Sequence, residues 1–169
     1  MGSLLVVAAS LAFVVACGET ASPTSPALTL GRSKQPKAQS QYSARLALCN
    51  IPHDVQVSKR IGPLGGTLDL GDNNTVYFPP GALLTDTTIT ALVPAGNTAR
   101  VFFTPEGLRF PVAAIVTLNV SPCITPTALL SVVYLQADTV SEVRPTVNNP
   151  NASTVSAKIE HFSSYAVAY

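Results

Sequence analysis

Apolar and polar residues alternate over several short stretches of this 169-residue chain, and that pattern constrains its fold more than any other feature. The alternation is plainest in Ala114–Val120, where every second residue is apolar, and it recurs over 76–78, 88–93 and 155–160. A period of two places the apolar side chains on one face of a β-strand and leaves the other face to solvent. These stretches therefore predict half-buried strands.

Residues that favour turns separate these stretches. Glycine, proline and asparagine cluster at 65–66, 71–74, 79–81, 94–97, 105–107 and 148–150. Glycine accepts a positive φ and proline gives up a backbone donor, so such clusters end strands and reverse the chain. Short strands with this punctuation predict an all-β fold, an antiparallel β-sandwich. No segment has the apolar stripe of a long helix.

The N-terminal segment is apolar from Leu4 to Ala16, apart from Ser10. A membrane-spanning helix needs about twenty apolar residues, so this run matches the apolar core of a signal peptide instead. It ends in Val14-Val15-Ala16-Cys17, which resembles the lipobox of bacterial lipoproteins, where the cysteine is acylated and becomes the first mature residue. We therefore predict a lipoprotein signal peptide over residues 1–16 and lipidation of Cys17.

Two points about this segment stay open. No Lys or Arg precedes the apolar run, although a signal peptide normally begins with a basic region, so the true start codon is undetermined. An ordinary secretory signal cleaved near Ala16 is the alternative to a lipobox. Under both interpretations the chain is exported from the cytoplasm.

A lipid on Cys17 would hold the protein at a membrane, since two acyl chains anchor a protein almost permanently. Gly18 and Glu19 follow the cysteine, without the aspartate that retains many bacterial lipoproteins at the inner membrane. The resemblance therefore favours the outer membrane of the cell envelope.

Residues 17–44 predict a lipid-anchored flexible tether, because they are rich in Ser, Thr, Ala and Pro and lack periodic apolar order. Attraction to anionic head groups explains their basic residues better than nucleic-acid binding does, and the whole chain has a formal net charge of only +1. The basic residues of the tether are Arg32, Lys34 and Lys37, and Arg45 follows directly after it. Residues 45–169 have the length of one domain.

The cysteine count predicts a disulfide. With Cys17 acylated, Cys49 and Cys123 remain as an even pair in an exported domain, and two buried free thiols are the alternative. A metal site is not expected, because His53 and His161 are the only histidines and neither cysteine belongs to a C-x-x-C motif. We expect no cofactor.

Several short motifs occur in a specific order. They are Ile61-Gly62-Pro63-Leu64-Gly65-Gly66-Thr67, Val76-Tyr77-Phe78-Pro79-Pro80-Gly81-Ala82-Leu83, Thr88-Ile89-Thr90, Pro105-Glu106-Gly107-Leu108-Arg109-Phe110-Pro111 and His161-Phe162-Ser163-Ser164-Tyr165. In this order and spacing, residues 61–169 resemble the ZU-five domain of zonula occludens proteins, netrin receptors and ankyrins. The resemblance implies a β-sandwich that binds proteins or packs against neighbouring domains.

His161-Phe162-Ser163 is the one tripeptide with candidate chemistry. In some death-domain-containing relatives the domain cuts its own chain at this motif, and the resemblance implies His161 as base, Ser163 as nucleophile and Phe162 as acyl donor. The competing interpretation has His161 continue the inward face of Val155, Ala157 and Ile159, with its ring hydrogen-bonded, before a last strand that places Tyr165, Val167 and Tyr169 on one face. We favour that interpretation and predict no catalysis.

Other sites receive less support. The side-chain oxygens of residues 69–74 could in principle bind calcium, but the spacing of these residues is not that of a calcium-binding loop. A solvated hairpin turn accounts for this composition. The residues are Asp69, Asp72, Asn73 and Asn74. We therefore expect a membrane-anchored, non-enzymatic lipoprotein whose β-sandwich contacts a protein or another envelope component. The alternatives are a module that cleaves itself at Phe162-Ser163 and a carbohydrate- or cell-wall-binding sandwich, for which the scattered tyrosines supply no platform by themselves.

Overall fold

The structure, a computed structural model, describes residues 44–124 and 129–169. The lipobox, Cys17 and the predicted tether up to residue 43 lie outside these residues. The described part of the chain contains no helix with the length and apolar character that a membrane span requires. It is all-β, as the alternation predicts.

The strands follow one another with short connections. Their bounds are β1 Leu48–Ile51, β2 Val55–Ile61, β3 Gly66–Asp69, β4 Thr75–Phe78, β5 Thr87–Val93, β6 Gly96–Thr98, β7 Arg100–Thr104, β8 Arg109–Asn119, β9 Cys123–Ile124, β10 Ser131–Gln136, β11 Thr139–Val143, β12 Thr146–Asn149, β13 Thr154–His161 and β14 Ser164–Ala168.

Two antiparallel sheets form the sandwich, which confirms the predicted fold class. The six-stranded sheet has the order β11-β10-β14-β7-β5-β2, and the five-stranded sheet has the order β12-β13-β8-β4-β3. Their inner faces bury one apolar core between them, whose largest fully buried side chains include Tyr165, Phe78, Phe162, Leu68 and Ile89. A small three-stranded sheet, β6-β1-β9, closes one end.

The alternating stretches lie in the strands that the sequence predicts. In β8, Ala114 and Val116 are buried, and Val116 faces the buried Ala157 of β13 across the ladder. On the opposite face of the sheet, the next pair along the ladder is Thr117 and Ser156, whose hydroxyls form a hydrogen bond of 2.8 Å. Val120, predicted on the inner face, lies beyond the end of β8 and is only partly buried, because the chain turns there towards β9.

The closing strand differs from its prediction. Tyr165 and Val167 do lie in the main core, but Ala166 and Ala168 are also fully buried in a second cluster with Val133 and Leu135. β14 lies between β10 and β7, and its outer face is packed as well as its inner one. Neither face is wet, so a period of two does not describe this strand. Tyr169, predicted on the same face, lies beyond the strand and is 37% exposed.

Four of the connections between the two sheets lie at one end of the sandwich, which we call the crossover end. The links β2–β3, β4–β5, β7–β8 and β13–β14 all pass there. The registers establish this position, since Ile61 lies opposite Thr87 and His161 lies opposite Arg109. In the first link, Gly65 has a φ of 76°, and a side chain there would overlap the carbonyl oxygen of Phe78, so only glycine fits.

The opposite end, the cystine end, is where the described chain enters the fold. The backbone N–H of Arg45 donates to the carbonyl of Tyr169 at 3.0 Å, and Tyr169 returns the hydrogen bond at 2.9 Å. The entering segment is therefore paired with the C-terminal end of the chain.

The predicted disulfide, Cys49–Cys123, is present at this end and joins β1 to β9. The N–H of Asn50 donates to the carbonyl of Pro122 at 2.9 Å, which makes these neighbours a hydrogen-bonded pair. Cys49 and Cys123 face each other at the next, non-hydrogen-bonded position, where cross-strand side chains are closest. Strand pairing thus brings the two sulfurs together.

Candidate functional site

His161, the base implied by the resemblance, is the last residue of β13 at the crossover end. The register shifts just before it, because Ile159 pairs with Ala114 whereas His161 pairs with Arg109. The shift gives the next core position to Phe162 and leaves His161 half-buried. The interpretation of His161 as a continuation of the inward face is therefore wrong.

The imidazole of His161 packs among aromatic rings instead of joining the aliphatic core. Its ring lies edge-on to Tyr134, with centroids 5.1 Å apart, and is tilted against Tyr165 at 6.2 Å. The hydroxyl of Tyr165 donates to the backbone carbonyl of His161 at 2.8 Å. Burial raises the pKa of Tyr165 above its ordinary value, so this hydroxyl stays protonated and remains a donor at neutral pH.

Phe162 fixes the link between the two sheets. Its side chain is 1% exposed, stacks on Phe103 at 4.9 Å and meets Phe110 edge-on at 4.8 Å. Its backbone N–H donates to the carbonyl of Leu108 at 2.7 Å, and its carbonyl accepts from the N–H of Gly107 at 3.0 Å. Both polar groups of Phe162 are therefore held by the β7–β8 link.

Ser163, the implied nucleophile, is also buried, at 8% exposure. Its carbonyl accepts a hydrogen bond of 3.3 Å from the N–H of Phe103. Self-cleavage requires a strained backbone at this motif. His161, Phe162 and Ser163 are not among the described residues with positive φ, so their φ angles show no such strain. The N–H of Gly107 donates to the Phe162 carbonyl and would suit an oxyanion formed there. The ring of His161, the implied base, packs against Tyr134 and Tyr165 instead.

The purified protein should therefore stay intact at the Phe162–Ser163 bond. Denaturing mass spectrometry of wild type should give one mass, and Ser163→Ala should shift that mass only by the lost oxygen. The reason is that the Phe162 carbonyl accepts from the N–H of Gly107, while the ring of His161, the implied base, packs against Tyr134 and Tyr165. A fragment ending at Phe162 in wild type that disappears in Ser163→Ala would show that self-cleavage occurs.

A groove opens beside this link at the crossover end. It consists of two adjoining depressions of about 290 and 420 Å³ that share Glu106, Tyr134 and Ser163. The smaller depression is lined in addition by Gly107, Arg109, His161 and Phe162. The larger one extends along the strand ends, over Phe102, Phe103, Thr104, Leu135, Gln136, Ala137, Asp138 and Ser164. We call the whole the crossover groove.

The crossover groove combines residues that the sequence alone does not bring together. Glu106 belongs to a turn motif, Tyr134 to β10 and Gln136 to the end of that strand, far apart along the chain. The pairing of β14 with both β7 and β10 assembles them. No local motif marks such a set, because its proximity depends on the order of strands in the sheet.

The other sequence candidates lie elsewhere. The 69–74 residues form the β3–β4 turn, where Asp69 Oδ1 accepts from the N–H of Gly71 at 2.9 Å and Asn74 Oδ1 accepts from the N–H of Asn119 at 2.9 Å. The first hydrogen bond lies within the turn, and the second joins the turn to the end of β8. Residues 44–124 and 129–169 contain no group of three or more His, Cys, Asp or Glu that could hold a metal ion. His53 is exposed at the cystine end, away from His161.

No protein-family model and no curated protein sequence matches this chain. The likeness to the ZU-five domain therefore remains an expectation carried by the sequence motifs.

Proposed function

We propose that this chain is a non-enzymatic lipoprotein of the bacterial cell envelope, held at a membrane by lipid on Cys17, and that the crossover end of its sandwich contacts another protein or an envelope component. One observation carries the proposal. The described chain enters at the cystine end, whereas the crossover groove opens at the opposite end. Attachment at the cystine end leaves the crossover end uncovered by the tether, so a partner can reach the groove.

The disulfide supports export. Disulfides form and persist in oxidising compartments such as the bacterial periplasm or the cell surface, and are rare in the cytosol. A bond between Cys49 and Cys123 fits a chain that the N-terminal apolar run directs out of the cytoplasm. The residues after Cys17 favour the outer membrane as the final location.

Removal of the acylated cysteine tests the anchor. Cys17→Ala should shift the protein from the membrane pellet to the soluble fraction or leave it unprocessed, because each buried methylene of a lipid contributes about 0.8 kcal/mol to membrane binding. A clickable palmitate analogue should label wild type and not the variant. A double Cys49→Ser, Cys123→Ser variant is the matched control and should keep the label. Unlabelled wild type, expressed from a verified start codon, would contradict the proposal.

A further inference from the structure

Aromatic rings line both depressions of the crossover groove. Tyr134 and His161 border the smaller depression, and Phe102, which is 36% exposed, borders the larger one. Tyr134 lies in the wall common to both depressions and is only half-buried. Flat apolar surface of this kind is what the C–H face of a sugar ring packs against.

The polar groups between these rings supply both donors and acceptors. Glu106 offers carboxylate oxygens, Gln136 an amide that donates and accepts, Arg109 a guanidinium, and Ser163 a hydroxyl. A ligand covered with hydroxyls, each a donor and an acceptor, can satisfy such a mixture. An apolar peptide side chain cannot.

The charges of the groove are balanced. Glu106 and Arg109 in the lining carry opposite charges, and the second carboxylate of the lining, Asp138, forms an ion pair of 2.8 Å with Arg100, which lies outside the lining. A lining of balanced sign attracts neither a polyanion nor a polycation over a distance. It therefore favours a neutral ligand.

We propose that the crossover groove binds a neutral oligosaccharide, with one sugar unit against Tyr134 and His161 and the next towards Phe102 and Gln136. The two depressions joined at Tyr134 form two consecutive subsites. This assignment names the ligand of the crossover end and so rests on the proposed function. It requires no chemical step, since binding alone places the sandwich on a glycan of the envelope.

Binding of the full-length, acylated protein in detergent micelles tests this assignment. The probes are a panel of neutral oligosaccharides of glucose, mannose, galactose and N-acetylglucosamine, with sulfated oligosaccharides as anionic counterparts. At least one neutral member should bind, and calorimetry should then show Tyr134→Ala weakening that affinity about tenfold. Tyr77→Ala is the matched control, because Tyr77 is an exposed tyrosine of β4 in the other sheet and should not affect binding.

Gln136→Ala supplies a second measurement that a folding defect cannot imitate. Gln136 is exposed at the end of β10, so its loss should leave the melting temperature of the free protein unchanged, while the affinity for the same oligosaccharide falls severalfold. An unchanged affinity, or a loss of stability and affinity together, counts against the proposal.

The assignment is overturned if no neutral oligosaccharide binds at millimolar concentration, if the sulfated series binds better, or if Tyr77→Ala weakens binding as much as Tyr134→Ala. Capture of a protein at the groove in the absence of glycan binding also overturns it, in favour of a peptide ligand. The proposed function fails separately, through loss of the palmitate label from wild type or through absence of envelope contacts at the crossover end.

Discussion

Phe162→Ala should lower the free energy of unfolding by about 3–5 kcal/mol, the range for removal of a fully buried aromatic side chain. Phe162 lies where the two sheets are joined, with Phe103 stacked on its ring and the edges of Phe78 and Phe110 against it. Its removal leaves a cavity inside a cluster of large rings, which cannot close without moving both sheets. The loss of unfolding free energy should therefore lie near the upper end of the 3–5 kcal/mol range, about 4–5 kcal/mol.

Denaturant-induced unfolding measures this change, and Phe102→Ala is the matched control. Phe102 is in the same strand as Phe103 but points away from the core and is 36% exposed, so its loss should cost about 1 kcal/mol or less. Equal losses for the two variants, or a loss below about 1.5 kcal/mol for Phe162→Ala, would mean that Phe162 is not the centre of the core at the crossover end.

Loss of the disulfide should cost about 4 kcal/mol in the chain-entropy treatment, since Cys49 and Cys123 are 74 residues apart. The double variant Cys49→Ser, Cys123→Ser should therefore have a much lower unfolding midpoint than its parent. The Cys17→Ala background serves both proteins, because it removes the lipid without touching the domain. Adding a reductant should lower the midpoint of the parent and leave that of the double variant unchanged.

Thiol alkylation completes this test. Protein exported by the cell and denatured without a reductant should show no free thiol at either position. Alkylation of both cysteines in freshly exported protein would contradict the bond and, with it, the support that the bond lends to export.

Local alternation was sufficient to predict the strands that have one face in the core. Ala114 and Val116 in β8, and Ala157 opposite Val116 in β13, are buried as expected. A period of two is a property of one strand and needs no knowledge of its neighbours. The disulfide was predictable for a similar reason. Once Cys17 is assigned to lipid, two cysteines remain.

Features that depend on several strands could not be predicted. The register shift between Ile159 and His161 inverts the faces at the end of β13, and a bulge leaves no mark in the alternation before it. The second buried face of β14 results from its central place in the six-stranded sheet. The crossover groove likewise collects Glu106 and Gln136 through strand order, which the chain does not display locally.

Site-specific photo-crosslinking in living cells tests the central claim most directly, namely that the crossover end of an anchored sandwich makes the contact. A photoreactive phenylalanine is placed at Leu84 at the crossover end or at Ile124 at the cystine end, which are 78% and 83% exposed. Wild-type anchoring through Cys17 is retained in both proteins. The account predicts a specific crosslinked product from position 84 and none of comparable yield from position 124. A product from position 124 alone would contradict it.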